Sequence, residues 1–397
     1  MGPVILAPRA LRKNWSVMSP KRLDYQIVRY EPPLKPAVLE LQTNLWSSSL
    51  ALNGAYFDWK YQRNPYLKEP LIYLALSGGR PVGMRGFFGT RWEGGMVTSG
   101  ITLLYADDMV IAPDHRGKGL MSSIMNSAFR DLSTGNFSHA LNLSAGLVTL
   151  RSSLSMGWQS AGWAHPIRRR SWPATLQRCL SIVEKRRARM PNQMRAALAG
   201  ARNKLHDLGA DRIGRFLRNN PDVSLERAPR CGEMADLVAR IGPTERIRHV
   251  RDGEYYGWRF QNPLSHYRFL FWGRGRLEGY LVLQEYTSDL VDRERLNIVD
   301  WEGSNPAILL SLLRAACVVA HDRPLWIWVA TLPAEVISML KRRGFRTVEA
   351  PPSEPSPPAV LVRPLREDQC DGRWRFGHQS LLDLANWDLR MLYSMHG

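Results

Sequence analysis

Residues 105 to 129 read YADDMVIAPDHRGKGLMSSIMNSAF, and this one stretch holds an adjacent pair of carboxylates, a basic glycine turn and a helix start. An apolar strand runs into Pro113, the turn carries Arg116, Gly117, Lys118 and Gly119, and a helix opens at Leu120. Glycines at a helix start let a ligand approach the backbone, and the unpaired first amides together with the helix dipole favour a phosphate there. Arg116 and Lys118 add positive charge to that cradle. Asp107 and Asp108 are candidate proton acceptors. Neighbouring residues of a regular strand face opposite sides, so only one of the two can serve a given face. Asp108 shares its face with Val110, and a bulge would change the choice. For either carboxylate, a solvated charge at a strand end is the competing reading.

Alternating strand and helix patterns surround this stretch. A strand is expected over Asp24–Tyr30, a helix over Leu34–Leu50, and a hairpin from Leu71–Leu76 and Pro81–Trp92 around Ser77-Gly78-Gly79. A helix over Leu120–Leu132, a strand at HALNLS, a short helix ending at Met156 and a strand pair from Trp158 on complete the order. The class is α+β, built on mostly antiparallel mixed sheets flanked by helices.

From Val223 the same order returns, and three anchors recur in sequence. YFDWKYQRNP at 56–65 is answered by YYGWRFQNP at 255–263, GGRPVG by GRGRLEG, and SLSMGW at 153–158 by MLKRRGF at 339–345. The repeated Trp59 and Trp258 read as corner or core anchors rather than substrate contacts. Phe87, Phe88, Trp92 and Tyr286 fit a core, with a cleft lining as the alternative. The second copy has no basic glycine turn: at the matching place it reads IVDWEGSNPAILLSLL, where Ser304 or Asn305 caps a helix with Pro306 in its first turn. The expected division is an extension over 1–22, a domain with the anion cradle over 23–170, a basic helical connector over 171–221, a degenerate copy over 222–367 and a tail over 368–397. A final strand, AVLVRP, follows the Pro-rich link APPSEPSPP.

The net charge of +18 on 397 residues is concentrated in the connector. Between Ala164 and Asn220 fourteen Lys or Arg stand against Glu184, Asp207 and Asp211. Residues 178–218 therefore read either as a solvated helix pair or as a contact for an anionic membrane or polymer. No specific nucleic acid is implied. Cys179, Cys231, Cys317 and Cys370 are too widely spaced for a zinc site or a disulfide framework, so no metal is expected. The apolar runs are too short for a signal peptide or a bilayer span, which points to a cytoplasmic protein, peripheral to a membrane at most.

Val110-Ile111-Ala112-Pro113 followed by Arg116-Gly117-Lys118-Gly119-Leu120-Met121 resembles the signature of the GNAT superfamily of N-acetyltransferases, with Met121 where that family has a small residue. The resemblance covers Tyr25 to about Ile167 and, more faintly, Val223 to Pro364. It implies tandem GNAT-like domains of which only the first keeps a site for acetyl-CoA. Met109, Val110 and Ile111 would line the pantetheine arm, Arg116 to Met121 would hold the pyrophosphate, and an amide near Val110 would polarise the thioester carbonyl. Many members place a Tyr acid where this chain has Ser153, and Tyr105 is the candidate replacement. The implied reaction is acyl transfer from acyl-CoA to a primary amine of a small molecule, amino sugar or peptide. A Fem-type aminoacyl transferase of cell-wall assembly, or a non-catalytic protein binding coenzyme A or a membrane, are the alternatives.

Overall fold

The computed structural model describes residues 24–95, 97–170, 210–287, 295–321, 323–348, 358–366 and 372–394. Most of the basic stretch 178–218, the extension 1–22 and the Pro-rich link lie outside these residues; within the stretch, residues 210–218 are helical.

The first half runs β1 (Tyr25–Arg29), α1 (Lys35–Gln42), α2 (Leu50–Phe57), β2 (Leu71–Ser77), β3 (Arg80–Gly94), β4 (Val97–Ile111), α3 (Leu120–Leu132), β5 (His139–Ala145), α4 (Leu147–Leu154), β6 (Gln159–Trp163) and β7 (Pro166–Arg169). The second runs β8 (Val223–Glu226), α5 (Cys231–Ile241), β9 (Arg248–His249), α6 (Gly253–Arg259), β10 (Ser265–Trp272), β11 (Gly279–Tyr286), β12 (Leu296–Gly303), α7 (Pro306–Val319), β13 (Leu325–Trp328), α8 (Ala334–Arg342), β14 (Phe345–Thr347) and β15 (Ala359–Pro364).

The single helix expected over Leu34–Leu50 is two helices. α1 stops at Gln42, and α2 starts afresh where the Ser49 side chain accepts the Leu52 amide. The first aromatic repeat therefore sits on helical turns, continued by a π-helical turn over Asp58–Gln62.

Two mixed sheets form, in the orders β1-β2-β3-β4-β5-β15-β6 and β14-β7-β13-β12-β11-β10-β8. The strands from Trp158 on do not pair with each other. β6 stays in the first sheet, while β7, two residues later, enters the second between β13 and β14. In return β15, from the far end of the second copy, inserts between β5 and β6. The second sheet thus takes β7 from the first copy's stretch, and the first takes β15 and the short β9 from the second's, so the spans 23–170 and 222–367 are interlocked rather than self-contained.

The faces join as well. One apolar core runs from Val38 and Trp59 of the first copy to Trp258, Phe269 and Tyr280 of the second. At its centre Trp59 and Trp258 stack at 4.8 Å and 9°. Each indole donates to the other's carbonyl, Trp59 Nε1 to Trp258 O at 2.7 Å and Trp258 Nε1 to Trp59 O at 2.9 Å. The repeat is a reciprocal clasp between copies, and both Trp are buried. Phe87, Phe88, Trp92 and Tyr286 are core residues too.

His249 closes the same seam, where β9 pairs with β3. Its ring stacks on Tyr255 at 4.0 Å, Nδ1 donates to Val250 O at 2.6 Å, and Nε2 accepts the Arg91 amide at 3.3 Å, an arrangement that requires the neutral ring. Burial, aided by Arg259 and Arg251, lowers its pKa from 6.5 to about 3. Below pH 6.5 the unfolded chain takes a proton that the folded chain refuses, so this stability is complete above pH 6.5 and is lost as pH falls toward 3. The loss between pH 6.5 and 5 should be about 2 kcal/mol. Urea melts at pH 7 and pH 5 should differ less in His249→Asn than in the wild type; equal differences would remove His249 as the cause.

Candidate active site

β4 and β5 hold the site because they part company. They pair in parallel only at Leu104–Ala140 and Tyr105–Leu141, while the other edge of β5 pairs with β15 from His139 to Ala145. The edge of β4 from Ala106 to Ile111 faces the resulting fork, with backbone groups that β5 does not take up. Met109, Val110 and Ile111 lie on this edge. Tyr105 stands at the apex, where its hydroxyl accepts the Leu143 amide at 3.1 Å and lies 3.1 Å from Ser144 Oγ and 3.4 Å from Ser394 Oγ. Burial holds its phenol well above its usual pKa and therefore protonated.

A bulge deforms β4 beside the fork. Between Met84–Val110 and Gly86–Asp107 the strand carries one extra residue, and Asp108 takes φ 53°, in the left-handed region. The strict alternation expected for Asp107 and Asp108 fails here for that reason, and both carboxylates reach the same cation. Lys60 Nζ, fully buried, lies 2.7 Å from Asp107 Oδ2 and 2.7 Å from Asp108 Oδ1. Rings of Trp46, Tyr56, Tyr61 and Phe88 surround the ammonium at 5.0–5.5 Å. Asp108 also accepts from Tyr61 OH at 2.6 Å and Trp46 Nε1 at 2.9 Å. Its side chain is 0% exposed, against 7% for Asp107. Neither is a solvated strand-end charge. Gly86 is required opposite the bulge, since a Cβ there would lie 1.8 Å from the Tyr61 hydroxyl.

Sequence reasoning missed Lys60. The available signal was the basic residue inside the aromatic repeat, whose two Trp read as packing anchors. Arg259, at the matching place in the second copy, instead donates to Tyr267 OH and to the carbonyls of Leu392 and Ser394.

At the end of β4 the basic turn is open. Gly117 and Gly119 both take φ 73°, a conformation that glycine adopts without strain. A Cβ at either would meet no protein atom within 4 Å, so the space above the turn is free for a ligand. The first bond at the start of α3 runs from Ser123 N to Gly119 O, leaving the Leu120, Met121 and Ser122 amides directed outward. Arg116 and Lys118 are exposed and fold onto backbone carbonyls of Ile111 and Asp114. Met121 packs partly into the core under α3. These residues suit a pyrophosphate.

The second sheet keeps the geometry without the cradle. β12 carries a register shift opposite Val282 and Leu283, and it meets β13 only at Leu296–Leu325 and Asn297–Trp326. The Asn305 side chain, not that of Ser304, caps α7 by accepting from Ala307 N and Ile308 N. Asp300 is locked by Arg251, Tyr256 and Tyr280, and burial raises its carboxyl pKa despite the guanidinium beside it.

Ser153 is buried near the end of α4. His139 is buried with Nε2 2.7 Å from Arg373 O. Among the described residues no His, Cys, Asp and Glu cluster could hold a metal ion. No helix among them is long and apolar enough to cross a membrane.

Residues 37–146 match the model of the Acetyltransferase (GNAT) family. No curated protein sequence matches the chain. Among solved structures, a GCN5-related N-acetyltransferase from Anabaena variabilis is similar over 86% of this chain and 73% of its own, at 10% identity and a TM-score of 0.53. A tandem GNAT protein from the clavulanic acid biosynthesis pathway is similar over 86% of this chain and 99% of its own, at 10% identity and a TM-score of 0.50. These two likenesses concern the fold, two GNAT-like α+β units in one chain.

Proposed function

We propose that this chain, whose residues 37–146 are a domain of the GNAT acetyltransferase family, uses the fork and turn of its first sheet to transfer an acyl group from acyl-CoA, acetyl-CoA foremost, to a primary amine of a small molecule, amino sugar or peptide. The open glycine turn at the end of a forked, bulged strand is the observation that carries this reading. Its counterpart in the second sheet has its helix amides capped by Asn305, which supports one donor site per chain.

When bound, the donor supplies an activated thioester carbonyl. Residues Arg116 to Met121 would hold its pyrophosphate, and the edge Met109–Ile111 its pantetheine arm. A backbone amide at the bulge, near Val110, would face the negative charge that develops on the carbonyl oxygen. The attacking amine must lose a proton, and of the two carboxylates only Asp107 retains exposure. We assign Asp107 as the base and Asp108, sealed by Tyr61, Trp46 and Lys60, as the residue that fixes the bulge. Tyr105, protonated but fully buried at the apex, would pass its proton to the departing thiolate through the Ser144 hydroxyl 3.1 Å away.

Calorimetric titration with acetyl-CoA should give one site per chain, weakened about tenfold in Arg116→Ala through loss of a charged contact. Two sites, or equal affinity in the variant, would refute the placement; no binding would favour an aminoacyl donor. Asp107→Asn should slow thiol release with an accepted amine by about 10²-fold or more while leaving acetyl-CoA affinity within a factor of two. Unchanged turnover would exclude Asp107 as the base.

A further inference from the structure

One concavity among the described residues is remote from the fork. It lies at the C-terminal end of α3, where the exchanged strand β15 leaves the first sheet, and it encloses about 750 Å³. Small-molecule sites fall in the range of about 300–1,000 Å³. Three arginines line it, Arg130 from α3 with Arg363 and Arg366 from β15 and the residues after it, and no described carboxylate does.

Two of the guanidinium groups are held in place by their surroundings. Arg363 lies over the Phe129 ring at 3.8 Å and against Gly157, where a Cβ would come within 2.5 Å of its Nη1. Arg366 Nη2 donates to Gly135 O at 3.0 Å. Arg130 is exposed and makes no hydrogen bond or ion pair with its side chain among the described residues. The carbonyls at the end of α3, which would otherwise repel an anion, are partly masked: Ser133 Oγ donates to Arg130 O and Thr134 Oγ1 to Asp131 O.

The geometry points to a second anion site, which takes a phosphate-bearing small molecule and ties α3 to the exchanged strand. α3 has 13 residues, so this cavity stands about 20 Å from the glycine turn, too far for the two to share one pyrophosphate. Guanidinium forks match phosphate oxygens bidentately, and Arg130 and Arg366 face one cavity from two different elements, so a phosphate can bridge them. The assignment does not depend on the acyltransferase reading.

Arginine modification by phenylglyoxal, mapped by mass spectrometry with and without inorganic phosphate, locates the site directly. Phosphate should slow adduct formation at Arg130 and Arg366 at least threefold, whether or not coenzyme A is present. It should also raise the Tm by about 2 °C over sodium chloride of equal ionic strength, a rise absent from the double variant Arg130→Ser, Arg366→Ser. Protection confined to Arg116, or none, overturns the proposal. So does protection by anionic lipid vesicles without protection by soluble phosphate, which would make the ligand a headgroup.

Discussion

Lys60→Met should destabilise the protein by about 3–5 kcal/mol and abolish transfer. The ammonium is fully buried and is shared by two carboxylates that are themselves 0% and 7% exposed. Methionine fills a similar volume but leaves both charges without their cation, and breaking a buried pair costs far more than the pair itself contributes. Met cannot restrain the bulge, so Asp108 would lose one of the contacts that hold it at φ 53°. Two comparisons separate charge from packing. Adding Asp108→Asn to Lys60→Met should recover part of the stability, because one of the stranded charges is gone, and should recover no transfer. A denaturant melt of Lys60→Met within about 1 kcal/mol of the wild type would show that the cluster is not the constraint argued here.

Ending the chain after Pro358 should prevent folding of the first sheet, although every residue of β1 to β6 remains. β15 bonds to β5 on one edge and β6 on the other, and Val360, Leu361 and Val362 are each 0% exposed. Without it two buried strand edges lose their partners and β6 has nothing to pair with, since β7 belongs to the other sheet. The same truncation removes Trp387, Leu392 and Tyr393 from the shared core. Circular dichroism and a thermal melt of the shortened chain are the check. A cooperative transition near that of the full protein would mean that the exchange is dispensable. Supplying residues 359–397 as a separate peptide should restore part of the transition.

The parts of the site that were legible in sequence are those that local chemistry specifies. Pro113 ends a strand, two glycines permit the left-handed turn, and Leu120, Ile124, Ala128 and Leu132 repeat at helical spacing, so the strand, turn and helix can be read without knowing their neighbours. The duplication was visible because both clasp segments need the same aromatic residues, and the missing cradle of the second copy was visible because it lacks basic glycines. Lys60 escaped because its partners lie 47 and 48 residues away, and nothing in YFDWKYQRNP distinguishes a buried cation from a solvated one.

By itself the sequence determined an α+β chain with two copies of one order of elements and a basic glycine turn before a helix in the first. Each of these follows from periodicity and backbone preference within a few residues. Only the tertiary structure decided that β7 and β15 change sheets, that Asp107 and Asp108 share one face, and that Trp59 and Trp258 clasp each other. Strand pairing and bulge position are set by which distant backbone groups close each other's hydrogen bonds, and a strand's own residues do not name its neighbour.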